Sequence, residues 1–323
     1  MDPGRKQMKF KTLFFLIIFL ILIPIISGIY FPEEDNIPAL VFVYDDGYKE
    51  DVEIALPIHQ KHDVPAVSAV NSSMIGKNNF LDQDDLLLLQ NNGWEIASHG
   101  KYHTALIYSS INTDIEPGDQ EININNANII ETRYSYYIYD YAHKKGEVIN
   151  FKKRIKKEGN IYFKLTEKMK SKYQKETTYV MLTKQAMQKE IVESKRKLQA
   201  MGLEVNNFVY PYNGYTDPAR TIVKKNYTFA RGGPQNGQDF PKRFINQFPL
   251  AQYNLKGVAL ENNQIKRKHI DQILIKGTKN KSLLIFYAHT RNQNFSPSRL
   301  EYIIRKAKQL DYNITTFNEL IGN

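Results

Sequence analysis

The sequence predicts an α/β fold in which short buried strands alternate with helices around a parallel sheet. The first observation is a set of continuously apolar runs that each stop at a turn or a polar residue, as strands buried on both faces do. The second is that stretches with helical spacing of apolar residues lie between these runs. The predicted strands are Ala39–Tyr44, Val64–Val70, Trp94–Ala97, Asn207–Tyr210 and Ser282–Tyr287.

Four further segments have the signatures of helices. Asn91-Asn92-Gly93 follows one of them and Gly202 follows another, and both are residues at which helices commonly end. The predicted helices are Val52–His62, Asp82–Leu89, Met187–Met201 and Leu300–Leu310.

The first 31 residues predict a membrane anchor. A basic flank (Arg5, Lys6, Lys9 and Lys11) precedes an uncharged run from Thr12 to Phe31, and about 20 such residues span a bilayer core as a helix. The run is longer than most signal-peptide cores and no small-residue cleavage site follows it, so an uncleaved anchor is favoured over a cleaved signal peptide. The positive flank is expected to stay in the cytoplasm, which places the rest of the chain outside the cell.

Residues 104–181 interrupt the alternation and predict an insertion with a β-hairpin or a small sheet. Arg133–Tyr141 (RYSYYIYDY) is strongly β-prone, and its Tyr row is either a half-buried strand face or a surface for stacking on sugar rings. The expected organisation is an anchor at 1–31, an α/β domain made of 36–103 and 182–320, and a basic, Tyr-rich insertion at 104–181.

Most of the net charge of +10 lies in one stretch within this insertion. Between His143 and Lys175, twelve Lys or Arg residues accompany three Glu residues. Because the rest of the chain is nearly neutral, nucleic-acid binding by the whole protein is not indicated. The basic stretch is either a solvated surface or a contact for an anionic polymer or a membrane.

Residues able to bind metal or transfer protons follow three of the predicted strands. Asp45 and Asp46 follow the first strand, His99 and His103 the third, and His289 a late one. Because the carboxyl ends of parallel strands share one edge of a sheet, these side chains are expected to meet. The other histidines lack such placement and are interpreted as surface or structural residues: His59, His62, His143 and His269.

The grouped residue types suit metal-assisted hydrolysis of an amide or ester. The chain has no cysteine, so any metal must be held by His and carboxylates. Two imidazoles and one carboxylate bind Zn²⁺ or a similar cation with a position left for water, which the cation acidifies. A second carboxylate can then act as general base, and a separate His can protonate the leaving amine.

On these motifs the sequence resembles the polysaccharide deacetylases with a NodB homology domain, carbohydrate esterase family 4. The family's T-F-D-D-G appears as V-Y-D-D-G from Val43, and its H-[ST]-x-x-H appears as H-G-K-Y-H from His99. The resemblance implies Asp45 as catalytic base. It implies Asp46, His99 and His103 as ligands of a divalent metal, most simply Zn²⁺, with Co²⁺ or Ni²⁺ as alternatives.

Two later motifs extend the resemblance, which covers about Pro38–His103 and Leu182–Asn318. V-Y-P-Y-N-G from Val209 is similar to the exopolysaccharide-type branch and implies that Pro211 and the backbone N–H of Tyr212 form the oxyanion site. The Arg that this motif carries in other branches is absent here, and Arg231 is the candidate to replace it. L-L-I-F-Y-A-H, ending at His289, implies His289 as general acid, with Asp239 as a candidate carboxylate partner.

The fold implied by the resemblance is a distorted (β/α) barrel of about seven strands. The activity implied is removal of N-acetyl groups from a GlcNAc-containing polysaccharide of the cell envelope or matrix. Two alternatives stay open: an O-acetyl esterase or amidase on the same fold, and a non-catalytic polysaccharide-binding protein. The expected partners are the polymer and, through the N-terminal helix, the membrane.

Overall fold

The structure is a computed structural model that describes residues 37–233 and 239–321. The anchor predicted at residues 1–31 lies outside this range. Within the described residues, no helix is both long enough and apolar enough to cross a membrane. Residues from Ile37 onward form one compact unit.

The apolar runs of the sequence form a parallel sheet of eight strands, which confirms the α/β prediction with one strand more than expected. The strands are β1 (Ala39–Asp46), β2 (Val67–Val70), β3 (Glu95–Ser98), β10 (Phe208–Val209), β11 (Ala230–Arg231), β12 (Val258–Ala259), β13 (Leu283–Ala288) and β14 (Asn313–Ile314). Their order is β11-β10-β3-β2-β1-β13-β12, and β14 also pairs with β1. All eight residues of β1 are buried, as expected of a strand covered on both faces.

The two edge strands of this sheet, β11 and β12, lie close to the same short segment. Leu255 pairs with Arg231 of β11, and three residues later Val258, in β12, pairs with Phe286 of β13. The sheet is therefore curled, which brings its two edges near one another.

In the part of the chain that the structure describes, six α-helices connect the strands, four of them near predicted positions. They are α1 (Leu56–His62), α2 (Gln83–Asn91), α3 (Lys184–Gln199), α4 (Asp217–Asn226), α5 (Arg267–Lys279) and α6 (Pro297–Gln309), and a π-helical turn at Asp51–Ala55 leads into α1. Asp82 caps α2 through a capping box with Asp85, and Thr183 caps α3. These caps satisfy N–H groups that a helix start leaves unpaired.

Among the described residues, the insertion, for which a β-hairpin or a small sheet was predicted, forms a second, antiparallel sheet of six strands. Its strands are β4 (Ser109–Ser110), β5 (Glu121–Asn123), β6 (Ser135–Asp140), β7 (Lys145–Lys157), β8 (Asn160–Leu165) and β9 (Thr178–Leu182), in the order β4-β9-β6-β7-β8-β5. Along β6, Tyr136 and Ile138 are buried while Tyr137 and Tyr139 are half-buried. The Tyr row therefore has the alternation of a strand with one face in the core.

The strand register brings the polar strand ends of the main sheet together. Asp46 lies opposite Val70, Val70 lies opposite Ser98, and Tyr44 lies opposite Ala288. His99 follows Ser98 and His289 follows Ala288, so the residues predicted to meet do lie at one edge of the sheet.

Candidate functional site

Asp46, His99 and His103 form a compact group of potential metal ligands. The Oδ1 atom of Asp46 lies 3.7 Å from Nε2 of His99 and 3.4 Å from Nε2 of His103. The three ligand atoms all lie within 4.8 Å of one another. Asp46 and His99 are buried, and the side chain of His103 is partly exposed.

These distances fit one small divalent cation. Ligand bonds of about 2.1 Å in tetrahedral geometry place the ligand atoms about 3.4 Å apart. Burial lowers the pKa of both imidazoles, and the neighbouring His99 helps to bring the pKa of His103 to about 4. Both are therefore neutral near pH 7, the form that binds metal. Burial alone would raise the pKa of Asp46, but His99, His103 and His289 lower it, so Asp46 is ionised.

Hydrogen bonds orient two of these ligands. The Nδ1 of His99 lies 2.8 Å from the backbone oxygen of Val209, so N–H donation there leaves Nε2 free to bind. The amide of Asn71 donates to Oδ1 of Asp46 at 3.1 Å. Asp46 itself has a positive φ of 79°, which turns its side chain out of the alternation of β1.

A buried carboxylate, Glu190 on α3, holds the loop between the two histidines. Its Oε1 accepts the backbone N–H groups of Tyr102 and Thr104, each at 2.9 Å, and its Oε2 accepts the hydroxyl of Tyr134 at 2.8 Å. A Cβ at Gly100 would lie 2.6 Å from Oε1 of Glu190. This contact explains why Gly100 stands where the motif usually has Ser or Thr.

Asp45 and Arg231 form a buried ion pair beside the ligand group. Nη2 of Arg231 donates to Oδ2 of Asp45 at 2.6 Å, and both residues are almost fully buried. Oδ1 of Asp45 is also buried but has no hydrogen-bond partner among the described residues. Nη1 of Arg231 donates to Oδ1 of Asn213 at 2.8 Å. The structure thus places Arg231 against the carboxylate that it was predicted to orient.

His289 lies across from these residues and pairs with Glu261. Its Nε2 is 4.0 Å from Oδ2 of Asp46, and its Nδ1 is 2.5 Å from Oε1 of Glu261. Burial alone would lower the pKa of His289, but the hydrogen bond with Glu261 and the charges of Asp45 and Asp46 outweigh it and raise the pKa to about 9. His289 is therefore protonated near neutral pH.

The prediction that Asp239 partners His289 is wrong, because Glu261 occupies that position. Asp239 instead lines a separate surface cavity with Lys242 and Lys276. Glu261 follows the short apolar run Val258–Leu260, so it lies beyond a strand end as His289 does, but the run is too short to be recognised as a strand from sequence.

Pro211 and Tyr212 lie in a 3-10 turn that begins one residue beyond the end of β10, after Tyr210. Tyr212 has left-handed backbone angles, φ 56° and ψ 19°, and its ring lies 4.5 Å from the ring of His103. The predicted oxyanion loop therefore borders the ligand group. By contrast, His59 is buried away from these residues and hydrogen-bonds to the hydroxyl of Tyr44 at 2.7 Å.

Sequence reasoning missed Glu190 as well as Glu261. Glu190 lies one residue before Ile191 and three after Met187, on the apolar face of α3, and is itself fully buried. A carboxylate on the buried face of a helix must be hydrogen-bonded, and that signal was present in the sequence.

Comparison with known proteins gives one match to a family model, over part of the chain. Residues 33–161 match the family model described as polysaccharide deacetylase. No curated protein matches the chain.

Several solved structures resemble the chain at low identity. A T48 deacetylase with substrate is 13% identical, with 89% of this chain and 94% of that chain covered and a TM-score of 0.48. A family 4 acetyl xylan esterase from Clostridium thermocellum, in complex with a cobalt ion, is 13% identical, with 88% and 90% covered and a TM-score of 0.47. A CE4 family pseudoenzyme from Bacillus anthracis is 11% identical, with 88% and 66% covered and a TM-score of 0.47.

Proposed function

We propose that this chain, in which residues 33–161 match the polysaccharide deacetylase family model, is a metal-dependent hydrolase that removes N-acetyl groups from a GlcNAc-containing polysaccharide. The observation that supports this most is the grouping of three metal-type ligands with a buried carboxylate on one side and a protonated imidazole on the other. Such a set supplies the groups needed to add water to an amide and to expel its amine.

Asp46, His99 and His103 are the residues that would hold the metal. The chemistry that a divalent ion would supply there is polarisation of the acetyl carbonyl and acidification of a water molecule. The ligand set of two imidazoles and one carboxylate suits Zn²⁺, and Co²⁺ or Ni²⁺ are reasonable substitutes.

Asp45 acts as the general base in this proposal. Its Oδ2 is held by Arg231, and its Oδ1 has no partner among the described residues, so Oδ1 is available to accept a proton from the attacking water. Arg231 balances the negative charge of Asp45 in a site where water cannot, and it fixes the orientation of the carboxylate.

His289 acts as the general acid. An amide nitrogen is a poor leaving group until it is protonated, and the pKa of about 9 keeps a proton on His289 at neutral pH. This proton is the reason to prefer an amide over an ester as the substrate, since an ester needs less help to expel its alcohol. The backbone N–H of Tyr212 would stabilise the oxyanion.

The proposed location is the outer face of the cell membrane. The support is the sequence alone: a basic flank followed by an apolar run from Thr12 to Phe31. The polymer would then belong to the cell envelope or to the extracellular matrix.

Acetate release by the full-length chain tests the activity. We expect release from an N-acetylglucosamine oligomer to stop after chelation, to return with Zn²⁺, Co²⁺ or Ni²⁺, and to be absent in Asp45→Asn. A matched O-acetylated xylan oligomer identifies the esterase alternative if it alone is hydrolysed. Oligomer binding without release from either substrate would support the non-catalytic alternative and contradict the proposal.

A further inference from the structure

A cavity of about 210 Å³ lies beside the proposed metal site and has the insertion as one wall. Tyr102, His103 and Tyr212 line one side of the cavity, and residues 128–132 with Arg154 line the other. The cavity therefore joins a proposed metal ligand to a part of the chain outside the α/β domain.

The insertion wall is held firmly in place. Nη2 of Arg154 donates to the backbone oxygens of Ala127 and Ile130, each at 2.9 Å. The backbone N–H of Glu131 donates to the hydroxyl of Tyr136 at 2.9 Å. Because the loop is tied to β6 and β7, its side chains face the cavity from a fixed backbone, as expected of a built binding site.

The chemistry of the lining suits a sugar unit. Asn128 offers an amide and Glu131 a carboxylate, which can bond to hydroxyl and acetamido groups. The ring of Tyr212 is 47% exposed, so a flat apolar surface is open beside these polar groups. A mixed lining of this kind matches a sugar ring, which has polar edges and apolar faces.

We propose that this cavity binds the sugar unit next to the one that loses its acetyl group, and that Asn128 and Glu131 select for polymer over small acetylated molecules. The proposal rests on the proposed function for the identity of the polymer. It follows from continuity, because His103 and Tyr212 border both the cavity and the ligand group. The insertion thereby supplies substrate selectivity to a reaction that the α/β domain carries out.

The test compares a long and a short substrate in the full-length, metal-loaded chain. N-acetylglucosamine hexamer can reach the cavity, whereas 4-nitrophenyl acetate occupies only the reacting position. The variants are Asn128→Ala and Glu131→Gln. Glu167→Gln is the control, because Glu167 is an exposed carboxylate of the same insertion outside the cavity lining.

We expect each cavity variant to lose roughly fivefold to tenfold in kcat/KM for the hexamer, the size of one good hydrogen bond, mainly through KM. Turnover of the small ester should stay at the parent level, and Glu167→Gln should match the parent on both substrates. An equal loss on both substrates would mean that the loop is only structural, and no loss on the hexamer would mean that no sugar binds there.

A binding measurement separates this proposal from the proposed function. If the parent releases no acetate from the hexamer, the proposed function fails, but calorimetric titration with the hexamer still tests the cavity. Weaker binding in Asn128→Ala and Glu131→Gln than in Glu167→Gln would support the subsite. Equal binding in all three variants would overturn it.

Discussion

At the scale of single residues, the buried ion pair of Asp45 and Arg231 is the contact in which each charge most needs the other for stability. Replacing Arg231 with Met leaves the Asp45 carboxylate buried without its partner. We expect Arg231→Met to lower the free energy of unfolding by about 3–5 kcal/mol, as broken buried pairs do. Asp45→Asn/Arg231→Met should recover much of this loss, because neither charge remains.

Urea denaturation of the metal-free protein measures both values, so that metal binding does not contribute. The single variant Asp45→Asn completes the comparison, and the coupling is disproved if the losses of the two single variants add up to the loss of the double variant. Such additivity would show that the two side chains do not stabilise one another.

The contact between Glu261 and His289 predicts a pH effect. The folded-state pKa of about 9 lies above the ordinary value of 6.5. The stabilisation from protonated His289 is therefore complete below pH 6.5 and is lost as pH rises through about 9.

Glu261→Gln removes the charge that raises the pKa of His289, so the basic limb of the kcat/KM profile should move to lower pH. An unmoved limb would mean that His289 is not the acid, or that Glu261 does not control its pKa.

Whether a site residue could be predicted depended on the length of the sequence pattern beside it. Asp45 and Asp46 end the long apolar strand β1 and His289 follows β13, so each could be recognised from its own neighbourhood. Glu261 follows β12, which has only two residues, too short for periodicity to distinguish it from a loop. Its pairing with His289 depends on the register between β12 and β13, which is a tertiary property.

At the scale of elements, the loop from His99 to His103 depends on packing against α3. Gly100 has a φ of +84° and lies against Glu190, whereas Gly93 has a similar φ of +78° with open space around it. These two glycines form a matched pair that separates backbone strain from the contact with Glu190.

We expect Gly93→Ala to cost about 1 kcal/mol from its positive φ alone. Gly100→Ala should cost more and should also weaken metal affinity, because Glu190 must move and releases the N–H groups of Tyr102 and Thr104. Calorimetric metal titration and urea denaturation of both variants provide the measurements. Equal metal affinity in the two variants would show that Glu190 does not position His103.

Helices and strands with a long sequence pattern could be predicted. Short strands that exist only through pairing with a neighbouring strand could not. The strand β1 and the helices α3 and α6 lie within a few residues of their predicted positions. The six-stranded sheet of the insertion was only partly visible, because β4 and β5 have two and three residues and exist through pairing with β9 and β8. Short strands of this kind have no periodicity that a sequence can reveal.

At the scale of the whole molecule, the two sheets share one hydrophobic core. A single cluster of buried side chains includes Phe42 and Tyr44 of the main sheet together with Ile138 and Phe163 of the insertion. The insertion is therefore integrated into the core, and deleting it would expose apolar surface. Changing single residues of its loop is the safer test of its role.

The shared core predicts cooperative unfolding. Trp94 is the one tryptophan of the chain and lies in the same core cluster, next to β3 of the main sheet. We expect its fluorescence and the far-ultraviolet circular dichroism of both sheets to follow one coincident urea transition. Two separated transitions would show that the insertion and the α/β part unfold independently.

The proposed catalysis depends on one metal ion held by Asp46, His99 and His103. Titration of Zn²⁺ or Co²⁺ into the chelated full-length chain tests this, with bound metal and acetate release from an N-acetylglucosamine oligomer recorded together. We expect both to saturate at one equivalent, His99→Ala to lose both, and Asp45→Asn to keep the metal but lose acetate release. Acetate release that persists in the chelated protein, or tight metal binding that survives His99→Ala, would contradict this proposal.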